Sequence, residues 1–146
     1  MKIALPINDT PTVYKNNPHT APRFAIYTIE NKENGIYFSL SSIVDNPLSK
    51  HKSQMFDQEQ KSCECDSKRE KNIEHICEHY SLLETLSDCS YLLANKYCKN
   101  TKSSMIKAGV VLFKIPPIIN QIDIAIKNFI LGVPLANNIR YIHNAS

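Results

Sequence analysis

The sequence predicts a single α/β domain built on a mixed sheet of about five strands, covered by about three helices. Two observations favour this class. The first third of the chain carries the pattern of a β-hairpin, which requires antiparallel strands. In the second half, short apolar strands alternate with helical patterns, which is typical of parallel strands joined by right-handed crossovers. A length of 146 residues suits one domain with one core, expected over residues 1–136 with a carboxy-terminal tail over 137–146.

The first third of the chain predicts three strands, each followed by turn-forming residues. We expect these strands over residues 2–7, 24–30 and 36–44. Asn34-Gly35 lies between the second and third of them and is typical of a hairpin turn. Asp45-Asn46-Pro47 ends the third strand.

Residues 48–71 have a different composition, rich in Lys, Ser, Gln, Asp and Glu, with few apolar side chains to bury. We predict a mobile loop here. Loops of this length inside a compact domain are usually functional or disordered, and this one contains His51, Cys63 and Cys65.

The second half of the chain predicts a helix from Asn72 onward, then a strand, a helix, a strand and a last helix. The two later strands are expected over residues 90–94 and 110–115, and the helix between them over 99–108. Gly109 is expected to end that helix. The last helix is predicted to follow Pro116-Pro117, with Ile118 on its buried face, and to close at Gly132.

The composition argues against several classes of protein. A net charge of only +3 does not predict nucleic-acid binding. The sequence contains no apolar run of the roughly 20 residues that a membrane span needs, and we predict a cytoplasmic location. With only three glycines and no GxGxxG or Walker A sequence, dinucleotide and P-loop enzymes are not expected. Five cysteines in a reducing compartment should be thiols, available as core residues, metal ligands or redox groups.

Several segments together resemble the dinitrogenase iron–molybdenum cofactor biosynthesis family, which includes NifX-like carriers and the carboxy-terminal domain of the NifB type. The matching segments are Lys2–Ile7, Pro18–Phe24, Asp88–Val111 and Ile124–Gly132. The chain departs from the family pattern after His19, where Phe-Gly is missing, and at Asn95–Cys98, which replaces a glycine-rich turn. The resemblance implies a ribonuclease-H-like three-layer fold. It also implies a non-catalytic protein that binds and carries an iron–sulfur-type metallocluster or an iron–molybdenum cofactor precursor.

Five residues are the candidate ligands. By resemblance, His19 is a metal or cluster ligand in the loop after the first strand, the side where ligands approach open α/β sheets. Cys98 lies where the family's cofactor-facing turn should be. Cys63 and Cys65 are spaced so that two thiolates can approach one soft metal, and His51 lies in the same loop. The structural alternative is a solvated loop side chain for His19 and for Cys98, and a reactive dithiol or inert loop cysteines for Cys63 and Cys65.

The implied partners are proteins that donate and accept the cluster, and pairing of the chain with itself is left open. Two other classes of function also remain open: a metal-free protein-interaction module on the same fold, and a thiol-redox sensor using Cys63 and Cys65. Cys77 and Cys89 are expected in the core. His75 to His79 fits the H-x-x-E-H pattern of inverted zinc peptidases, but His75 should point to solvent, and we do not expect an enzyme.

Overall fold

The computed structural model describes residues 1–47, 85–86, 88–133 and 142–144. The loop predicted over residues 48–71, with His51, Cys63 and Cys65, lies outside the described residues. So does the predicted helix from Asn72, together with Cys77.

The described residues form six strands, two α-helices and one short 3-10 helix. In chain order the elements are β1 (Lys2–Ile7), a 3-10 helix (Pro18–Thr20), β2 (Arg23–Lys32), β3 (Gly35–Asp45), β4 (Tyr91–Ala94), α1 (Lys99–Ala108), β5 (Val111–Lys114), α2 (Ile122–Gly132) and β6 (Ile142–Asn144). None of the helices in this part of the chain is long and apolar enough to cross a membrane.

All six strands belong to one sheet, in the order β5-β4-β1-β2-β3-β6. β2 pairs antiparallel with both β1 and β3, as the predicted hairpin requires. β4 lies parallel to both β1 and β5, and β6 lies parallel to β3. The mixed α/β sheet predicted from the sequence is therefore confirmed, with the three residues of β6 added at one edge.

Both faces of the sheet carry a cluster of buried apolar side chains, so that the sheet is the middle of three layers. On one face, Leu5 and Phe38 pack with Phe129 and Ile126 of α2. On the other, Leu92 packs with Met105 of α1. Side chains alternate between the two faces along each strand. The helix α2 packs against the apolar side chains of one face, and α1 packs against those of the other.

The helix α1 begins and ends where its local sequence predicts. Cys98 is its N-cap residue, and the Cys98 sulfur accepts a hydrogen bond from the Thr101 N–H. Gly109 adopts the left-handed conformation, with φ 77°, which a residue without Cβ adopts at little cost.

The start predicted for α2 is wrong. Residues 118–120 form no helix, and Ile118 is 84% exposed, not on a buried face. The Asn120 carbonyl accepts a hydrogen bond from the Val13 N–H, and Gln121 pairs with Thr12. This backbone pairing holds the segment extended, and α2 begins only at Ile122.

Candidate ligand-binding site

The carboxyl ends of β1 and β4 lie side by side, because the two strands are parallel neighbours. They form part of an edge made of strand ends, as distinct from the side edges made by the outermost strands β5 and β6. From this edge the chain leaves β1 toward β2 on one side and leaves β4 toward β5 on the other. Such a reversal of direction is a topological switch point, where open α/β sheets bind their ligands. Residues 8–22 follow β1 here, and residues 95–98 follow β4.

His19 lies at this edge, in the 3-10 helix after β1, so its predicted position is confirmed. The side chain is only 2% exposed and is therefore not the solvated loop histidine of the structural alternative. The His19 carbonyl accepts a hydrogen bond from Asn46 Nδ2 at 2.8 Å, and the same nitrogen donates to the Ala21 carbonyl at 2.7 Å. Asn46 is fully buried and also donates its backbone N–H to the Pro22 carbonyl. Asn46 thus fixes the segment that carries His19.

Cys98 lies at the same edge, as its predicted loop position implies, but as a buried N-cap residue of α1 that is 8% exposed. The Cys98 sulfur lies 3.3 Å from Thr101 Oγ1. That hydroxyl donates to Asn17 Oδ1 at 2.9 Å, across 84 residues of sequence. This chain of hydrogen bonds joins the segment after β1, which holds Asn17 and His19, to the first turn of α1.

Two buried amide donors at this edge have no hydrogen-bond partner among the described residues. They are Nδ2 of Asn17, a fully buried residue, and Nδ2 of Asn100, in the first turn of α1. A buried donor without an acceptor costs about 1–3 kcal/mol. The first turn of α1 contains no acidic residue, and the helix N-terminus carries partial positive charge. The arrangement therefore favours a ligand with negative charge and hydrogen-bond acceptors.

The charge around this edge is uneven, which the overall charge of +3 conceals. Residues 89–122 contain five lysines and no Asp or Glu, and all five lysines are exposed. They are Lys96, Lys99, Lys102, Lys107 and Lys114. The other 112 residues hold 12 of the 17 Lys and Arg and all 14 Asp and Glu, a net charge of −2. A search of the sequence in windows finds this basic stretch, whereas the total does not.

Cys89 lies apart from the candidate ligands His19 and Cys98. It precedes β4, at the opposite edge of the sheet, and is buried in the core as predicted. Burial, together with the neighbouring Asp88 carboxylate, raises the pKa of the Cys89 thiol to about 11. This thiol is therefore neutral at physiological pH and a poor metal ligand.

The described residues contain no group of three or more His, Cys, Asp and Glu side chains that could hold a metal ion. His19 and Cys98 are placed at a common edge, while Cys63, Cys65 and His51 lie outside the described residues. Sequence reasoning missed Asn17, Asn46 and Thr101, because neutral polar residues next to or inside helices and strands carry no local signal of a functional role.

No protein-family model matches the chain, and no curated protein matches it. Among solved structures, the chain is similar to the one titled "Crystal structure of PH0822", with a TM-score of 0.54 and 14% sequence identity. The alignment covers 90% of this chain and 92% of that chain. A likeness at this identity shows a common fold and carries no function.

Proposed function

We propose that the protein binds and carries an iron–sulfur-type metallocluster or an iron–molybdenum cofactor precursor, without catalysing a reaction. The fold proposed for it is the ribonuclease-H-like form of the three-layer α/β architecture. One observation supports this most directly: the Asn17 amide, with its unpartnered buried Nδ2, is joined through Thr101 to the cysteine at the N-cap of α1.

The side chains at this edge suit such a cargo. A cysteine thiolate and a histidine imidazole, here Cys98 and His19, are both known types of cluster iron ligand. Cluster sulfides accept hydrogen bonds, and donors that surround a cluster tune its stability. The amides of Asn17 and Asn100 are donors of that kind, and the N-terminus of α1 offsets negative charge.

Incomplete ligation is what a carrier requires. Two protein ligands leave the remaining iron positions to be filled by donor and acceptor proteins, so the cluster can be exchanged. Cys63, Cys65 and His51 stay predicted ligands from outside the described residues. Absence of catalysis and a cytoplasmic location also stay predictions.

Anaerobic reconstitution with ferrous iron and sulfide tests the proposal. Wild type is compared with His19→Ala and Cys98→Ser by iron and sulfide content and by visible absorption. Serine is a good N-cap residue, so Cys98→Ser keeps α1 capped. Cys89→Ser is the matched control, because it removes a buried thiol at the opposite edge of the sheet.

We expect stoichiometric iron and sulfide with thiolate-to-iron charge-transfer bands in wild type and in Cys89→Ser. The bound iron and sulfide and the charge-transfer bands should be lost or strongly reduced in Cys98→Ser and in His19→Ala. Wild-type protein that takes up no cluster would refute the proposal. A cluster retained in Cys98→Ser and His19→Ala but lost in the double variant Cys63→Ala/Cys65→Ala would move the site to the 48–71 segment.

A further inference from the structure

The strand β5 is the end strand of the sheet. Within the described residues it pairs with β4 on one side and with no strand on the other. The Val111 N–H donates to the Ser90 carbonyl, and the Ile115 N–H donates to the Ala94 carbonyl. Because N–H and C=O groups alternate sides along a strand, those of Leu112 and Lys114 point away from β4. The edge therefore offers up to four backbone hydrogen bonds to another chain.

An open groove runs beside this edge, between α1 and β5. Its walls include Ile106 of α1, Val111 and Leu112 of β5, and Lys102. Ile106 is 63% exposed and Val111 is 54% exposed. By the alternation along β5, Val111 lies on the α2 face of the sheet with Phe113, whereas Leu112 and Lys114 lie on the α1 face. Apolar side chains on one side of an added strand would cover Val111, and the side chains between them would face α1.

The positive charge of this region favours a negatively charged partner. All five lysines of the acid-free stretch 89–122 lie on β5, on α1 or in the loop before α1. Lys102 lines the groove and Lys114 lies on the edge strand itself. Lysines on an edge strand repel another basic edge and attract acidic side chains, which favours an acidic partner over a second copy of this edge.

We infer that the open edge of β5 and the adjoining groove bind an extended acidic segment of a partner protein, which adds a strand to the sheet. In this mode the backbone hydrogen bonds give affinity and alternate side chains give specificity. Apolar side chains of the segment cover Val111 on the α2 face of the sheet, and the alternate Asp or Glu side chains lie on the α1 face, beside Lys102 and Lys114. The inference rests on the edge and its charge and does not depend on metal binding at the switch point.

A synthetic peptide tests this inference. The probe is a fluorescent, end-blocked peptide of eight residues in which valine alternates with glutamate, and the control peptide has lysine in place of glutamate. Binding to the full chain is measured by fluorescence anisotropy at low and at moderate salt. We expect the glutamate peptide to bind, with several-fold weaker affinity at the higher salt because screening weakens exposed charge pairs, and the lysine peptide not to bind.

Three test variants and one control variant separate charge from backbone pairing. Lys102→Gln and Lys114→Gln should each weaken binding by about 2- to 5-fold, the usual effect of one exposed charge pair. Lys32→Gln, at the far end of the β2–β3 hairpin, is the matched control and should bind like wild type. Lys114→Pro removes the outward N–H, a change that edge strands tolerate, and should weaken binding more than Lys114→Gln does. Thermal unfolding of each variant checks that the fold is kept.

Four results would overturn the inference. Equal binding of the lysine peptide would remove the role of charge, and unchanged binding by Lys114→Pro relative to Lys114→Gln would remove the edge pairing. Tighter binding of a single-stranded oligonucleotide than of the peptide would assign the lysines to nucleic acid. A concentration-dependent dimer that Lys114→Pro abolishes, seen by analytical ultracentrifugation, would assign the edge to a second copy of the chain.

Discussion

Asn46 holds the segment that carries His19, and its truncation should weaken both the fold and the ligand site. Asn46→Ala removes two buried hydrogen bonds, to the carbonyls of His19 and Ala21 at 2.8 and 2.7 Å. Truncation leaves each carbonyl buried without this donor, which costs about 1–2 kcal/mol per carbonyl, in the lower part of the range for a buried unsatisfied group. We therefore expect Asn46→Ala to lower the free energy of unfolding by about 2–4 kcal/mol.

Urea unfolding followed by far-ultraviolet circular dichroism measures this change, and thermal unfolding should show a midpoint lower by about 5–15 °C. Asn95→Ala is the matched control, because Asn95 Nδ2 makes one hydrogen bond, to the Ile115 carbonyl at 2.9 Å. It should cost about 1 kcal/mol. Asn46→Asp should destabilise at least as much as Asn46→Ala, since a carboxylate cannot donate to the two carbonyls. A loss for Asn46→Ala no larger than that for Asn95→Ala would refute the reasoning.

Three further predictions test the core, the end of α1 and a buried thiol. Phe129→Ala should lower the free energy of unfolding by about 3–5 kcal/mol in urea titrations, because this fully buried ring packs edge-on against Tyr91 and Phe113, with centroids 4.8 and 5.1 Å away. A loss under 1 kcal/mol would contradict the packing. Gly109→Ala should lower the free energy of unfolding by about 1 kcal/mol in the same assay. The whole effect comes from the left-handed backbone at φ 77°, because an added Cβ has no atom within 4 Å. An unchanged free energy of unfolding would contradict this. The free energy of unfolding should fall between pH 9 and about 11, since the unfolded chain loses the Cys89 proton near pH 9.0 while the folded protein keeps it up to about pH 11. The fall should be shallower in Cys89→Ala. Equal slopes of stability against pH in the two proteins would exclude Cys89 as its source.

Elements with strong local signals could be predicted from the sequence nearly to the residue. The helix α1 spans Lys99–Ala108 as expected, because Gly109 supplies the left-handed end that few other residues adopt. The strand β1 over Lys2–Ile7 follows from an apolar run closed by turn-forming residues. The hairpin of β2 and β3 follows from Asn34-Gly35.

The state of the candidate ligands could not be predicted in the same way, because it depends on contacts between distant segments. The bond from Asn46 to His19 spans 27 residues, and the bond from Thr101 to Asn17 spans 84. A local pattern shows His19 and Cys98 only as polar loop residues, whereas these bonds and the packing around them bury both. The wrong start of α2 has the same cause, since Asn120 and Gln121 pair with residues 12 and 13 instead of entering the helix.

The burial of the candidate ligands has a consequence for how a cluster would load. His19, Cys98 and Asn17 are too buried for a ligand of several ångströms to touch them, so the proposed loading requires a local opening, such as separation of the segments after β1 and β4. The hydrogen bond from Thr101 to Asn17 joins these segments and stabilises the closed state, in which they are in contact, by about 1 kcal/mol net. The amides of Asn17 and Asn100, which have no partner among the described residues, raise the free energy of the closed state by about 1–3 kcal/mol each. The polar groups thus favour opening, and the apolar packing around them opposes it. A ligand that supplies acceptors to both amides binds only the open state and therefore shifts the population toward it. Loading that requires this opening should be slow and should speed up when Thr101→Val removes the bond between the two segments.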